Sequence, residues 1–188
     1  MHPKEKNMFD IAEELAKLHE LEGAAFITQL KRIVACGKFH PLEENMRVFT
    51  VGGEHGEDYV NLIAAARKVV ELGYMVYILP NPKEKRTADY IVVRKGVYKL
   101  FELKTIQGKT TVSNRLAESI GQANRVLLNI ISDYNPELLA RNIKKYFERN
   151  RAALEVLILK GRKAISITRD TTTSGNYYQI FMKRYFKE

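Results

Sequence analysis

The stretch Thr87-Ala-Asp-Tyr-Ile-Val-Val-Arg-Lys-Gly-Val-Tyr-Lys-Leu-Phe-Glu-Leu-Lys-Thr105 constrains this chain more than any other. Asp89 to Val93 is rich in β-branched residues, Arg94-Lys95-Gly96 turns the chain, and Val97 to Lys104 alternates, so the pattern predicts a β-hairpin. Three ionisable residues sit where a purely structural hairpin does not need them: Asp89, Glu102 and Lys104.

If Lys95-Gly96 is a two-residue loop, Arg94 faces Val97 and Asp89 falls directly across from Glu102. Opposed residues share a face with β-carbons about 5 Å apart, and the period of two brings Lys104 to that face as well. Two carboxylates at that distance repel, which raises the pKa of one unless a cation lies between them. That is the chemistry of a metal site. A three-residue loop with a glycine bulge instead opposes Asp89 to Phe101.

The 188 residues suffice for one domain with its own core and a small extension. A balance of 45% hydrophobic to 28% charged residues fits a globular chain rather than a disordered one. The net charge of +9 comes from 31 basic against 22 acidic residues and favours a polyanionic partner, nucleic acid first. Cys36 is the only cysteine, which rules out an internal disulfide and a cysteine zinc cluster. A reducing cytoplasm is the expected location. No apolar run approaches the roughly 20 residues of a membrane span, and the first residues lack the apolar stretch of a signal peptide. No Gly-rich phosphate loop or dinucleotide turn is present, and His2, His19, His40 and His55 form no close pair.

Along the chain, periodicity predicts helices over Phe9–Leu21 and Ala24–Ala35, then a loop with a short strand near Arg47–Val51. A helix over Glu54–Leu72 is acidic in its first turn and stopped by Gly73. Tyr74–Leu79 reads as an interior strand, followed by the basic loop Pro80–Arg86 and the hairpin. Asn114–Ser132 reads as a helix, and Pro136 opens another, Glu137–Asn150. Leu154–Leu159 and Ala164–Thr168 form a second hairpin, Asp170–Asn176 a polar loop, and Tyr177–Phe186 a final strand-like segment. Its aromatics either stack on unpaired bases or alternate into the core, and core packing is the preferred reading. The expected architecture is α/β, a mixed central sheet flanked by helices. A helical N-terminal extension, residues 1–45, precedes a main domain over residues 46–188.

Helix, strand, Asp-bearing strand, Glu-x-Lys strand and helix, in that order, resemble the PD-(D/E)XK nuclease superfamily over roughly residues 54–132. Asp89 takes the place of the motif aspartate, Ala88 stands where the family often has proline, and Glu102-Leu103-Lys104 is the Glu-x-Lys element. More narrowly, Glu54 to Asp58, the helix to Gly73, the hairpin and Ser119 to Asn124 are similar to the C-terminal tRNase domains of contact-dependent growth inhibition toxins and to related phage and mobile-element domains.

The resemblance implies that Asp89, Glu102 and the Leu103 carbonyl hold a divalent cation, for which hard oxygen ligands suit magnesium or manganese. It casts Lys104 as the group that positions water or neutralises charge on the phosphate. It also asks for an acid from the preceding helix, where Glu57 is the first choice and Glu54 the reserve; either can instead be a helix-dipole acid. Gln122 matches a glutamine the family places near its site, with Asn124 and Arg125 close by. Lys109, Thr110, Thr111, Ser113, Asn114 and Arg115, and on the other side Lys83, Lys85 and Arg86, can hold phosphate oxygens or can be solvated loop. The expected function is metal-dependent hydrolysis of nucleic acid, RNA and particularly tRNA ahead of DNA, with a cognate immunity protein as a partner. The alternative is a non-catalytic nucleic-acid-binding or assembly module that keeps the fold.

Overall fold

The computed structural model describes residues 9–44, 46–52, 58–81, 87–108 and 111–187. They form α1 (Ile11–Lys17) with a 3-10 turn (Leu18–Glu20), α2 (Gly23–Val34), β1 (His40–Pro41), β2 (Val48–Thr50) and α3 (Tyr59–Glu71). Then come β3 (Met75–Ile78), β4 (Tyr90–Arg94), β5 (Val97–Ile106), α4 (Val112–Glu118) and β6 (Arg125–Ile130). The chain ends with α5 (Pro136–Arg149), β7 (Glu155–Lys160), β8 (Lys163–Thr168), α6 (Arg169–Thr173) and α7 (Tyr177–Phe186).

Local chemistry explains the ends of several helices. The Asp10 carboxylate accepts the Ala12 N–H at 2.9 Å at the start of α1. Asn135 does the same for Leu138 at 3.0 Å, with Pro136 in the first turn of α5. Gly73, at φ 88°, supplies the left-handed residue that releases the chain from α3 into β3.

The strands form one mixed eight-stranded sheet, ordered β1 to β8 as in the sequence. Pairs β2–β3, β5–β6 and β6–β7 are parallel and the rest antiparallel. Each parallel step is bridged by a helix, as a crossover requires. One face carries α3, whose Ala65, Ala66 and Val69 pack on Val76, Tyr90, Val92, Phe101 and Leu103. The opposite face carries two separate helical groups. Over β4 and the first half of β5, α1 and α2 cover Ile91, Val93 and Leu100. Over β6 to β8, α4, α5 and α7 cover Val126, Leu128, Val156, Ile158 and Ile165, and reach Ile106 at the end of β5.

Three segments depart from the sequence expectation. Asn114–Ser132 is not one helix: α4 ends at Glu118, Gly121 takes φ 85°, and the apolar run Arg125–Ile130 becomes an interior strand. A glycine in the left-handed region ends helices, and a nearly continuous apolar run suits a strand covered on both sides. Tyr177–Phe186 is a helix, not a strand. Tyr177, Phe181 and Tyr185 are buried at intervals of four, so the aromatics do enter the core, but with helical spacing. The polar loop expected over Asp170–Asn176 contains the short helix α6.

Arg169, at the junction of β8 and α6, closes the far end of the molecule. Its guanidinium donates to the carbonyls of Phe147 (2.9 Å), Asn150 (2.7 Å), Arg151 (3.1 Å) and Ala153 (3.3 Å). These include carbonyls that the end of α5 leaves without helical partners. Charge-assisted bonds of this kind contribute about 1.5–3 kcal/mol, so Arg169→Ala is expected to lower unfolding free energy by about 2–3 kcal/mol in a denaturant titration. A midpoint unchanged from wild type would show that water replaces the guanidinium without loss.

Candidate active site

The β4–β5 turn is the tighter of the two considered. Lys95 (φ 49°) and Gly96 (φ 75°) both take positive φ, the signature of a type I′ two-residue turn, and Arg94 pairs with Val97. The ladder continues to Tyr90 opposite Phe101, and the Asp89 N–H donates to the Phe101 carbonyl at 3.1 Å. Asp89 and Glu102 therefore meet at the mouth of the hairpin.

Strand β5 changes partners at this point. Val97–Phe101 pair with β4 on one edge, whereas Glu102–Ile106 pair with β6 on the other. Past Phe101 the edge that faced β4 is no longer laddered. There the Asp89 carboxylate takes the place of a strand, its Oδ2 accepting the Leu103 N–H at 2.8 Å. The N–H and C=O of one strand residue leave by the same edge, so the Leu103 carbonyl opens on the same side as Asp89.

The face assignment follows from parity. Leu100 belongs to the core under α1 and α2, Ile106 to the core under α4 and α5, and Glu102 and Lys104 lie between them on the same side of β5. A cleft of about 300 Å³ opens here, lined by Asp89, Glu102, Leu103 and Lys104. Asp58 and Asn61 enter it from the start of α3, and Arg115 and Gln122 from α4 and the turn after it. Tyr90 fixes α3 in place by donating its hydroxyl to the Leu62 carbonyl at 2.5 Å.

Glu102 is only 5% exposed. Its Oε1 pairs with the Lys104 ammonium at 2.9 Å, and Oε2 finds no donor among the described residues. Burial, and then the negative charge of Asp89, push the Glu102 carboxyl up to about 8, against the pull of Lys104. Burial also raises Asp89, opposed by the Leu103 N–H, by a hydrogen bond from Glu102 and by Lys104, while Asp58 adds to the rise. Burial and the neighbouring charge thus favour a proton on Glu102. The orphaned oxygen, the paired carboxylates and the adjacent carbonyl make an all-oxygen donor set, which suits a hard divalent cation in place of that proton.

Of the other residues expected from sequence, Arg115 and Gln122 reach the cleft. Gln122 does so from a turn, its amide donating to the Glu118 carbonyl at 3.2 Å, and not from a continuing helix. Arg125 does not line the cleft; its Nε pairs with buried Glu155 at 3.3 Å, beside Lys99. Glu54, Glu57, Lys109 and Thr110, together with Lys83, Lys85 and Arg86, lie outside the described residues. Among the described residues the acid that α3 brings to the cleft is Asp58. In the sequence it is one of three neighbouring acids, with Glu54 and Glu57, and only the start of α3 at Tyr59 sets it at the N-cap.

The portion of the chain that builds this site also carries its likeness to known proteins. Residues 85–165 match the family model of the contact-dependent growth inhibition CdiA C-terminal domain. The match spans both hairpin strands, α4, β6, α5 and β7, fewer than half of the 188 residues. No curated protein matches the chain at a significant level. A solved structure, the CdiA-CT/CdiI toxin and immunity complex from Burkholderia pseudomallei, aligns at 18% identity with a TM-score of 0.46. That alignment covers 64% of this chain and 98% of the other. No helix of the described residues is long and apolar enough to cross a membrane.

Proposed function

We propose that the cleft is the active centre of a metal-dependent nuclease of the PD-(D/E)XK type, acting as a toxin domain on RNA, with tRNA the favoured substrate. One observation carries this reading: a buried Glu102 with an undonated oxygen, set beside half-buried Asp89 and Lys104 where β5 changes partners. Structural ion pairs rarely bury two carboxylates against one ammonium, because the excess negative charge is unfavourable. The match of residues 85–165 to a toxin-domain family supports the same reading.

Asp89, Glu102 and the Leu103 carbonyl would hold magnesium or manganese. Such an ion supplies charge neutralisation on a phosphate and acidifies a water. Lys104 places a fixed positive charge on the same face, where an attacking water and the phosphate oxygens would sit. Arg115 and Gln122 line the far wall and orient phosphate oxygens. Asp58 raises the negative charge at the mouth of the site, which favours occupation by a cation.

Residues 46–188 would form the nuclease domain and residues 1–45 a helical extension to it. The site of action would be a reducing cytoplasm, and a nuclease of this kind needs an immunity protein in the cell that makes it. The test is cleavage of labelled tRNA and of plasmid DNA with magnesium, manganese or chelator. Cutting of RNA that needs the metal is expected. Tight, salt-sensitive binding of nucleic acid with no cleavage under any condition would instead assign a binding module.

A further inference from the structure

A second cavity of about 180 Å³ lies between the N-terminal helices and the sheet, and Thr87 and Gln122 line both it and the catalytic cleft. The two hollows are therefore neighbours. Its floor is apolar, made by Leu18, Phe26 and Leu100, and His19, Glu22 and Asn124 contribute polar groups. Among the described residues no lysine or arginine lines it, whereas the cleft next to it has Lys104 and Arg115.

That contrast decides what fits where. A phosphate needs cationic partners, and of the two hollows the cleft supplies them in Lys104 and Arg115. An apolar hollow carrying an imidazole, a carboxylate and amides suits an uncharged aromatic ring with hydrogen-bonding edges. Ligand pockets for larger molecules begin at roughly 300 Å³, so 180 Å³ admits one ring system and not a whole nucleotide.

We infer that this cavity is a nucleobase subsite that receives an unpaired base next to the scissile phosphate. The inference rests on the nuclease reading of the cleft and gives the N-terminal helices a role in choosing the substrate. Phe26 offers a stacking surface, and Glu22, Gln122 and Asn124 offer acceptors and donors to the base edge. A base held in a duplex is stacked and paired and cannot enter, so the preferred cut lies in a loop or single strand.

The test uses the full chain with a single-stranded oligonucleotide in which 2-aminopurine is moved through every position. In chelator, its fluorescence should change on binding at one position, and that change should vanish in Phe26→Ala and in His19→Ala. His19 is exposed, so its replacement leaves the fold intact. With metal present, both variants should show about a tenfold rise in KM, the size expected for a lost base-stacking contact, and a weaker preference for the base beside the cut, with kcat retained. Fluorescence that changes at no position, or that changes in both variants as it does in wild type, overturns the subsite whether or not cleavage occurs. Absence of cleavage by wild type with the fluorescence change intact would overturn the nuclease reading alone.

Discussion

Lys104→Ala is expected to lower the rate of metal-dependent cleavage by about 10²- to 10³-fold, the usual loss when one fixed charge that stabilises a transition state is removed. Asp89→Ala should cost at least as much, because it removes a carboxylate from the donor set and the acceptor of the Leu103 N–H. The effect should fall on kcat, since Arg115 and Gln122, the residues proposed to orient phosphate, still line the cleft. Lys104→Arg should not restore activity, because a planar guanidinium cannot take the place of a compact ammonium 2.9 Å from Glu102. The variants must be compared at matched circular dichroism and melting temperature. Equal activity of wild type and both alanine variants would remove the assigned centre.

The second large effect is on stability. The ordinary Glu102 value of 4.5 is raised to about 8 in the fold, first by burial and then by the charge of Asp89. The folded protein therefore keeps a proton that the unfolded chain releases. Stability from this group is fully present below the unfolded value and is lost as pH rises from 4.5 towards about 8. At about 1.4 kcal/mol per pKa unit, the loss across that window is of the order of a few kcal/mol in the absence of divalent metal. Glu102→Gln carries no such charge, and its amide can donate to Asp89. Its unfolding free energy should thus stay level over the window while that of wild type falls.

Magnesium should reverse the order. A cation that binds only the folded, deprotonated pair stabilises wild type by about 2.7 kcal/mol at a hundredfold excess over Kd, and more strongly as pH rises. Glu102→Gln should gain little. Unfolding curves at several pH values with chelator and with magnesium measure both effects, and parallel curves for the two proteins would remove Glu102 from the metal-binding set.

The hairpin could be read from sequence because its cues agree: β-branched residues, alternation, and Lys-Gly at a turn that demands positive φ. Its parity then placed Asp89, Glu102 and Lys104 together without knowledge of the fold. The helix after it could not be delimited, since the α4 pattern runs into Arg125–Ile130 and only the left-handed Gly121 marks the break. The C-terminal segment failed for another reason. Tyr, Phe and Ile favour strands, and ten residues are few enough that a period of two and a period of 3.6 both fit. Packing against α5 settles it: the Tyr177 hydroxyl donates to the Ala140 carbonyl at 2.8 Å, and Phe181 and Tyr185 follow on the same helical stripe. Asp58 was out of reach because adjacent acids in a first turn differ only by where the helix starts.

The opposition of Asp89 to Glu102 also limits how this hairpin can change length over a lineage. Losing or gaining one residue in each arm leaves the two carboxylates facing each other. An unmatched single deletion sets Asp89 against Phe101 or Leu103, residues that belong to the layer beneath α3. Insertions and deletions near the tip should therefore be tolerated only as matched pairs, and free drift in identity is confined to the exposed residues at the turn, Arg94 to Val97.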